Sequence, residues 1–295
     1  MTSSEGVSLK TVERLHTLTT WLHVPVYFAR EAAEEYAKEG IHGWSGYFGS
    51  RTAAMGELPT EAIIATFYNF SPDVVGPATA GLWQTTTAEA MQLARFRLMA
   101  SIFDDVGRDA MAPDGAALAE ATRTLEAVVG GLDWGGKALA AGNHDALAAL
   151  ERSEFADDRL LRLWQLATIV REWRGDAHIA VLTTEPLSPV ECTVISWAMT
   201  GAAQVKESRG WAEPTWDTAV DGLIERGWMS DTTSMSDDGK RHRAAVETRT
   251  NELARAMWAG LDDAAVNHLG DLLKPTVDAI VQSGRLKPIG VRPAT

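Results

Sequence analysis

The sequence predicts a mainly α-helical protein. Apolar residues recur at helical spacing in most windows, strand-type alternation is scarce, and helix-start signals are frequent. The chain has 295 residues, of which 45% are hydrophobic and 23% charged, the balance of a globular protein. That length can bury one large core or two ordinary ones.

The elements follow in order. Residues 9–24 place Leu15, Leu18 and Leu22 on one helical face. Residues 59–70 open with Pro59, Thr60 and Glu61, which puts proline and an acid in a first turn. Segments 87–103 and 116–129 continue the helical pattern around a break at 111–115. Residues 158–182 form the longest expected helix, with an interruption at Gly175. Ser188, Pro189 and Glu191 then carry the cap, first-position proline and third-position acid of another helix start.

Helices expected at 189–200, 202–209 and 214–226 lead into a compact hairpin, Gly227 to Gly239, and a long helix from Lys240. Three helices, a hairpin wing and a return helix make a winged helix. Two stretches resemble the MarR family: Leu223–Trp228, like the end of a recognition helix, and Met235–Arg241, like the step leaving the wing. The whole chain also resembles an actinobacterial helix-turn-helix family, on Tyr47-Phe48, Ala65–Phe70, Arg174–His178 and Arg209–Trp211. The resemblance implies the fold and assigns no activity.

The chain also resembles itself. Leu15–His23 lies over Leu163–Arg171, and Pro59–Glu61 over Pro189–Glu191. Trp83 follows its proline by 24 residues and Trp211 follows its own by 22. Thr122-Arg-Thr124 and Thr248-Arg-Thr250 come next in the same order. These matches predict tandem winged-helix-like units. Residues 1–157 would be a helical, degenerate half, and 158–295 a half with the MarR-like winged helix at 186–262 and a C-terminal helix.

Composition limits the function. The net charge of −13 and pI of about 5.0 argue against phosphate neutralisation as the main task. The recognition-helix candidate holds Asp217, Asp221 and Glu225 against Arg226 alone. Across 186–262 there are eight Lys/Arg and twelve Asp/Glu, a net of −4. Base edges and phosphates call for Arg, Lys, Asn or Gln, so DNA is a disfavoured partner. Cys192 is the only cysteine and reads as an inert core thiol. No secretory signal and no membrane-spanning stretch is visible, which points to the cytoplasm and away from a membrane. His spacing supports no metal site, and no attachment motif supports haem, so no cofactor is assigned.

The sharpest polar cluster runs from Arg171 to His178 inside an otherwise apolar helix. Arg171, Arg174 and His178 share one helical face; Glu172 and Asp176 share the next. Buried charges are costly unless paired or used, so the cluster is either an ion-pair network or a ligand site. The repeat aligns His23 with Arg171 and Arg51 with His178, which would gather two guanidinium groups and two imidazoles. Such a cavity suits an anionic or hydrogen-bonding ligand, with Tyr27, Tyr47 and Tyr68 as apolar walls. The expected site is therefore His23, Tyr27, Arg51, Tyr68, Arg171, Glu172, Arg174, Asp176 and His178.

The leading expectation is a small-molecule-binding protein on a winged-helix scaffold. An apolar or anionic ligand would sit between the halves, and DNA binding would be weak or lost. A ligand-responsive regulator and an enzyme using a His/Arg site on an anionic or aromatic substrate are the alternatives. The sequence leaves a homodimer open.

Overall fold

A computed structural model of the chain describes residues 6–201 and 203–286. The first part runs α1 (Leu9–His23), α2 (Pro25–Phe28), α3 (Ala32–Ala37), α4 (Gly43–Thr52), α5 (Thr60–Thr66), α6 (Pro72–Thr79), α7 (Leu82–Thr85) and α8 (Ala88–Val106). It continues through α9 (Arg108–Met111), α10 (Gly115–Gly130), α11 (Ala138–Glu151) and α12 (Arg159–Leu182). Then come α13 (Pro189–Thr200), α14 (Ala203–Arg209), α15 (Glu213–Glu225), α16 (Asp237–Arg255) and α17 (Asp263–Gln282). Among the described residues there is no extended strand, only isolated bridges.

Packing divides the chain into two compact units. Unit 1 gathers Met1–Glu57, Leu82–Ala177 and Asn251–Thr295; unit 2 gathers Leu58–Gly81 and His178–Thr250. Their boundaries fall inside α12 and α16, so the units interleave along the chain, and residue 157 lies within unit 1. The two halves read from the sequence are thus stretches of chain, and each compact unit draws on both.

In unit 1, α1 turns Leu15, Leu18 and Leu22 inward as its periodicity requires. It is capped by Ser8, whose side chain accepts from Thr11 N. α1 also meets α17 through Arg14, which donates to the Asn267 carbonyl at 2.9 Å. The part of α12 in this unit is buried on nearly every face between Leu160 and Trp173, its polar side chains included. Trp164 is fully buried there, edge-on to Phe96 of α8. Gly142 of α11 lies directly against residues 53–55, since a Cβ there would stand 2.7 Å from the Ala54 carbonyl oxygen.

Unit 2 builds its core from Val194, Trp216, Leu223, Met229 and Val246, with Trp197 edge-on to Trp216. Ser188 and Glu191 form the expected reciprocal cap of α13. The chain between α15 and α16 folds back through one antiparallel bridge, Met229 to Met235. Gly239 is required where it stands, because a Cβ would meet the Trp228 carbonyl oxygen at 2.0 Å.

Several boundaries differ from the expected ones. The helix expected over 59–70 ends at Thr66. The Asn69 carbonyl that follows is taken by Thr193 Oγ1 and Trp211 Nε1 rather than by a helical N–H. The return helix begins at Asp237, before Lys240. Where a hairpin wing was expected, the described residues form a single bridge rather than a pair of strands. α12 runs through Gly175 without interruption. A Cβ at Gly175 would lie 3.3 Å from Glu172 Oε2 and 3.5 Å from Arg171 Nη1, so the missing side chain gives room to that ion pair.

Candidate functional site

Three helices of unit 1 bring polar side chains to one place. α1 supplies His23 at its last position, α4 supplies Tyr47 and Arg51, and α12 supplies Thr168, Arg171 and Glu172. Tyr27 follows His23 by one helical turn, in α2.

Glu172 is the centre, with its side chain 1% exposed. Arg171 Nη1 donates to its Oε2 at 2.6 Å, and Arg51 Nη2 lies 3.5 Å from Oε1. His23 Nε2 is 3.3 Å from the same Oε1. That approach is close enough for Coulomb attraction, yet neither atom has a hydrogen-bond partner of acceptable geometry. His23 Nδ1 is held by Thr168 Oγ1 at 3.0 Å. Arg51 Nη1 donates to the Tyr47 hydroxyl at 3.1 Å, and its guanidinium lies over the Tyr27 and Tyr47 rings. Tyr27 is edge-on to His23, with ring centroids 5.0 Å apart.

Burial sets the electrostatics. It lowers the His23 pKa to about 4, against an upward pull from Glu172 and with Arg171 and Arg95 acting downward. The imidazole is therefore neutral near pH 7. Burial alone would raise the Glu172 carboxyl, but Arg171, Arg51 and His23 outweigh it and hold the group well below the usual carboxylate range. Burial raises the Tyr27 phenol. The cluster thus presents an anion surrounded by cations and a neutral imidazole.

Behind it stands Arg95 of α8, fully buried. Its guanidinium donates to Gln92 Oε1 at 2.8 Å and Asn143 Oδ1 at 3.3 Å and lies over the Trp164 ring. Among the described residues no carboxylate pairs with it. Sequence reading missed Arg95 and Thr168. The signal for Arg95 was available: it falls on the inward face of Met91–Met99, in phase with Met91 and Leu98.

Four other expected residues go elsewhere. Arg174 donates through Nε and Nη2 to Asn251 Oδ1 at 3.0 and 2.8 Å. Asp176 accepts from the backbone N–H groups of Leu139 and Ala140, both at 3.1 Å, at the start of α11. There it supplies the acceptor that a helix N-terminus needs. Burial, ahead of other causes, raises its pKa to about 6. His178 and Tyr68 belong to unit 2, where His178 Nδ1 meets Thr250 Oγ1 at 3.0 Å and the Tyr68 hydroxyl donates to the Leu187 carbonyl. The shared helical phase of Arg171, Arg174 and His178 therefore does not give them a shared task.

Cys192 is buried in unit 2, and burial pushes its thiol up to about 12, which suits an unreactive side chain. Among the described residues no cluster of three or more His, Cys, Asp or Glu could hold a metal ion. No described helix is long and apolar enough to cross a membrane.

In unit 2, α15 exposes Glu213, Asp217, Thr218, Asp221 and Glu225. Arg226, just beyond it, donates to the Pro186 carbonyl and pairs with Glu191. No curated protein and no solved structure gives a significant match to the chain. A model of a helix-turn-helix family matches residues 12–287, nearly the whole length. The chain belongs to that helix-turn-helix family.

Proposed function

We propose that the protein binds a small anionic or hydrogen-bonding molecule at the His23–Arg51–Arg171–Glu172 cluster, and that its contact with DNA is weak. The observation that carries this reading is the local balance of charge at the cluster itself. Arg51 and Arg171 flank one carboxylate, Glu172, while His23 Nε2 and Glu172 Oε1 lack hydrogen-bond partners. Buried cations in excess of anions are costly, and an anionic group would offset that cost. The Tyr27 and Tyr47 rings would border the non-polar part of the molecule. Because α1 and α4 come from the first half of the chain and α12 from the second, the ligand would be held by both sequence halves.

Native mass spectrometry of freshly purified full-length protein tests this and also reads the assembly state. A retained small molecule that is lost in Arg171→Ala, with the melting temperature nearly unchanged, is the expected result. A large fall in melting temperature with nothing retained in either protein assigns the cluster to stability alone.

We further propose that α13–α15 with the following hairpin are a MarR-like winged helix, and that it descends with the first half from a duplication. Pro59 and Pro189 both stand at helix starts, and Thr122 and Thr248 both lie in later helices, α10 and α16. An experimental structure in which residues 9–130 fail to superpose on 158–262 would remove the duplication.

The family supports a second reading, a ligand-responsive regulator. The four carboxylates on the exposed side of α15 oppose it, because that face would meet phosphates of the same sign. Selection from a random duplex pool near physiological salt is expected to enrich no motif. Enrichment of one motif with submicromolar affinity would make the regulator the better reading.

A further inference from the structure

Aromatic rings of unit 1 run from the His23 cluster out to solvent. Trp44 stands at the second position of α4 and Arg51 in its last turn. Trp44, Tyr47, Phe48 and Arg51 fall at i, i+3, i+4 and i+7, so they share one helical face. Seven residues of helix separate the ends of this row by about 10 Å of rise. Tyr47 meets Tyr27 and Phe28 of α2, with ring centroids 5.6 and 6.0 Å apart, and meets Trp44 edge-on at 5.6 Å. Phe48 is fully buried and stacks on Trp44 at an interplanar angle of 27°. Tyr27, Phe28 and Tyr47 are half-buried, and Trp44 is 40% exposed. The rings therefore form one contiguous apolar patch rather than scattered side chains.

The inner end of the patch is charged. Arg51 holds its guanidinium over the Tyr27 and Tyr47 rings, 5.6 and 5.7 Å from their centroids. Arg171 stands at the other oxygen of Glu172. The two arginine side chains are 16% and 23% exposed, so both retain accessible surface. A ligand can meet them without reaching the fully buried atoms of His23 or Glu172.

We propose, resting on the anion site inferred above, that its ligand is an aromatic carboxylate about two fused rings long, with the carboxylate at Arg51 and Arg171 and the far ring against Trp44. Guanidinium groups match the planar, two-oxygen geometry of a carboxylate. Edge-to-face and offset ring contacts favour an aromatic body over a saturated one of the same area. The separation of Trp44 from Arg51 sets the length, because a single-ring acid held at Arg51 stops short of Trp44.

The test titrates the full-length chain calorimetrically with 2-naphthoate at pH 7, beside decahydro-2-naphthoate, 2-naphthamide and benzoate. Saturable binding of 2-naphthoate is expected. The saturated acid should be weaker by about threefold to tenfold. The amide, which lacks the charge, and benzoate, which lacks the second ring, should each be weaker by about tenfold. Trp44→Ala should bring 2-naphthoate close to the affinity of benzoate, whereas Arg171→Ala should weaken both acids alike. Should Trp44→Ala not fold, Trp44→Leu keeps an apolar side chain over Phe48 and should reduce the preference for 2-naphthoate over its saturated analogue. Equal affinity for 2-naphthoate and the saturated acid, or an undiminished preference for 2-naphthoate in both Trp44 variants, would overturn the aromatic assignment. If Arg171→Ala still weakens the acids in that case, the anion site itself stands. Binding of 2-naphthoate that Arg171→Ala leaves unchanged would place it elsewhere and overturn the assignment. Absence of saturable binding would overturn it too, while a molecule retained in native mass spectrometry and lost in Arg171→Ala would still support the anion site.

Discussion

His23 makes the stability of the protein depend on pH in a way that a single substitution isolates. Its pKa falls from the ordinary 6.5 to about 4 because burial disfavours the imidazolium. Between these values the unfolded chain binds a proton that the folded chain does not, so stability falls as pH drops through this window. Integrated from pH 7 to pH 5, the loss is about 2 kcal/mol, and it approaches about 3 kcal/mol near pH 4. Glu172 remains ionised throughout this range, since Arg171 and Arg51 hold its carboxyl low. Asp176 acts in the opposite sense. Its carboxyl is raised to about 6, so the folded state takes up its proton first and gains stability on acidification. Wild type alone would therefore show a blunted profile. His23→Gln keeps a hydrogen-bonding group towards Thr168 and Glu172, cannot titrate, and leaves Asp176 in place. Urea unfolding of both proteins from pH 7 to 5 should show wild type losing about 2 kcal/mol relative to the variant. Parallel curves would mean that His23 is not held neutral by burial, and the electrostatic description of the cluster would fail.

Two substitutions test the packing that frames the sites. Gly142→Ala puts a Cβ 2.7 Å from the Ala54 carbonyl oxygen and 2.8 Å from Met55 Cγ, and should cost about 1–3 kcal/mol in urea unfolding; unchanged stability would show that α11 does not lie so close. Ser188→Ala removes the side-chain half of the α13 cap, leaving the backbone N–H of residue 188 to Glu191, and should cost about 1 kcal/mol, with amide exchange rising first at the start of that helix. Uniform exchange with no loss of stability would refute the capping role.

The periodicity of the sequence was enough for most of the helices, because each buries one apolar stripe or, like α12, nearly all of its surface. Capping chemistry placed the start of α13 to the residue, since Ser188 and Glu191 pair backbone N–H groups and Pro189 removes one that would otherwise go unpaired. Gly175 misled for a physical reason. Helix propensity treats glycine as a break of about 1 kcal/mol, whereas here the absent Cβ makes room for an ion pair along the same helix. The candidate site was legible in part. Helical phase marked the polar stretch of α12 but could not say which side chain meets which partner. Arg171 and Glu172 face His23 and Arg51, Asp176 serves the N-terminus of α11, and Arg174 serves Asn251. These destinations depend on elements distant in sequence, and no local pattern encodes them.

Net charge also divides differently inside and out. The chain carries −13 overall, which as composition argues against an anionic partner. At the His23 cluster of unit 1, however, Arg51 and Arg171 flank the single carboxylate of Glu172, and buried Arg95 pairs with no carboxylate among the described residues. Carboxylates thus line the exposed side of α15, while the immediate surroundings of Glu172 hold more cations than anions. A large polyanion such as duplex DNA meets only the surface and is repelled over about a Debye length. A small anion able to reach Arg51 and Arg171 exchanges that weak, screened repulsion for close contact with poorly solvated guanidinium groups. The acidic balance that disfavours nucleic acid is thus compatible with an anionic ligand, provided that the ligand is small enough to be enclosed.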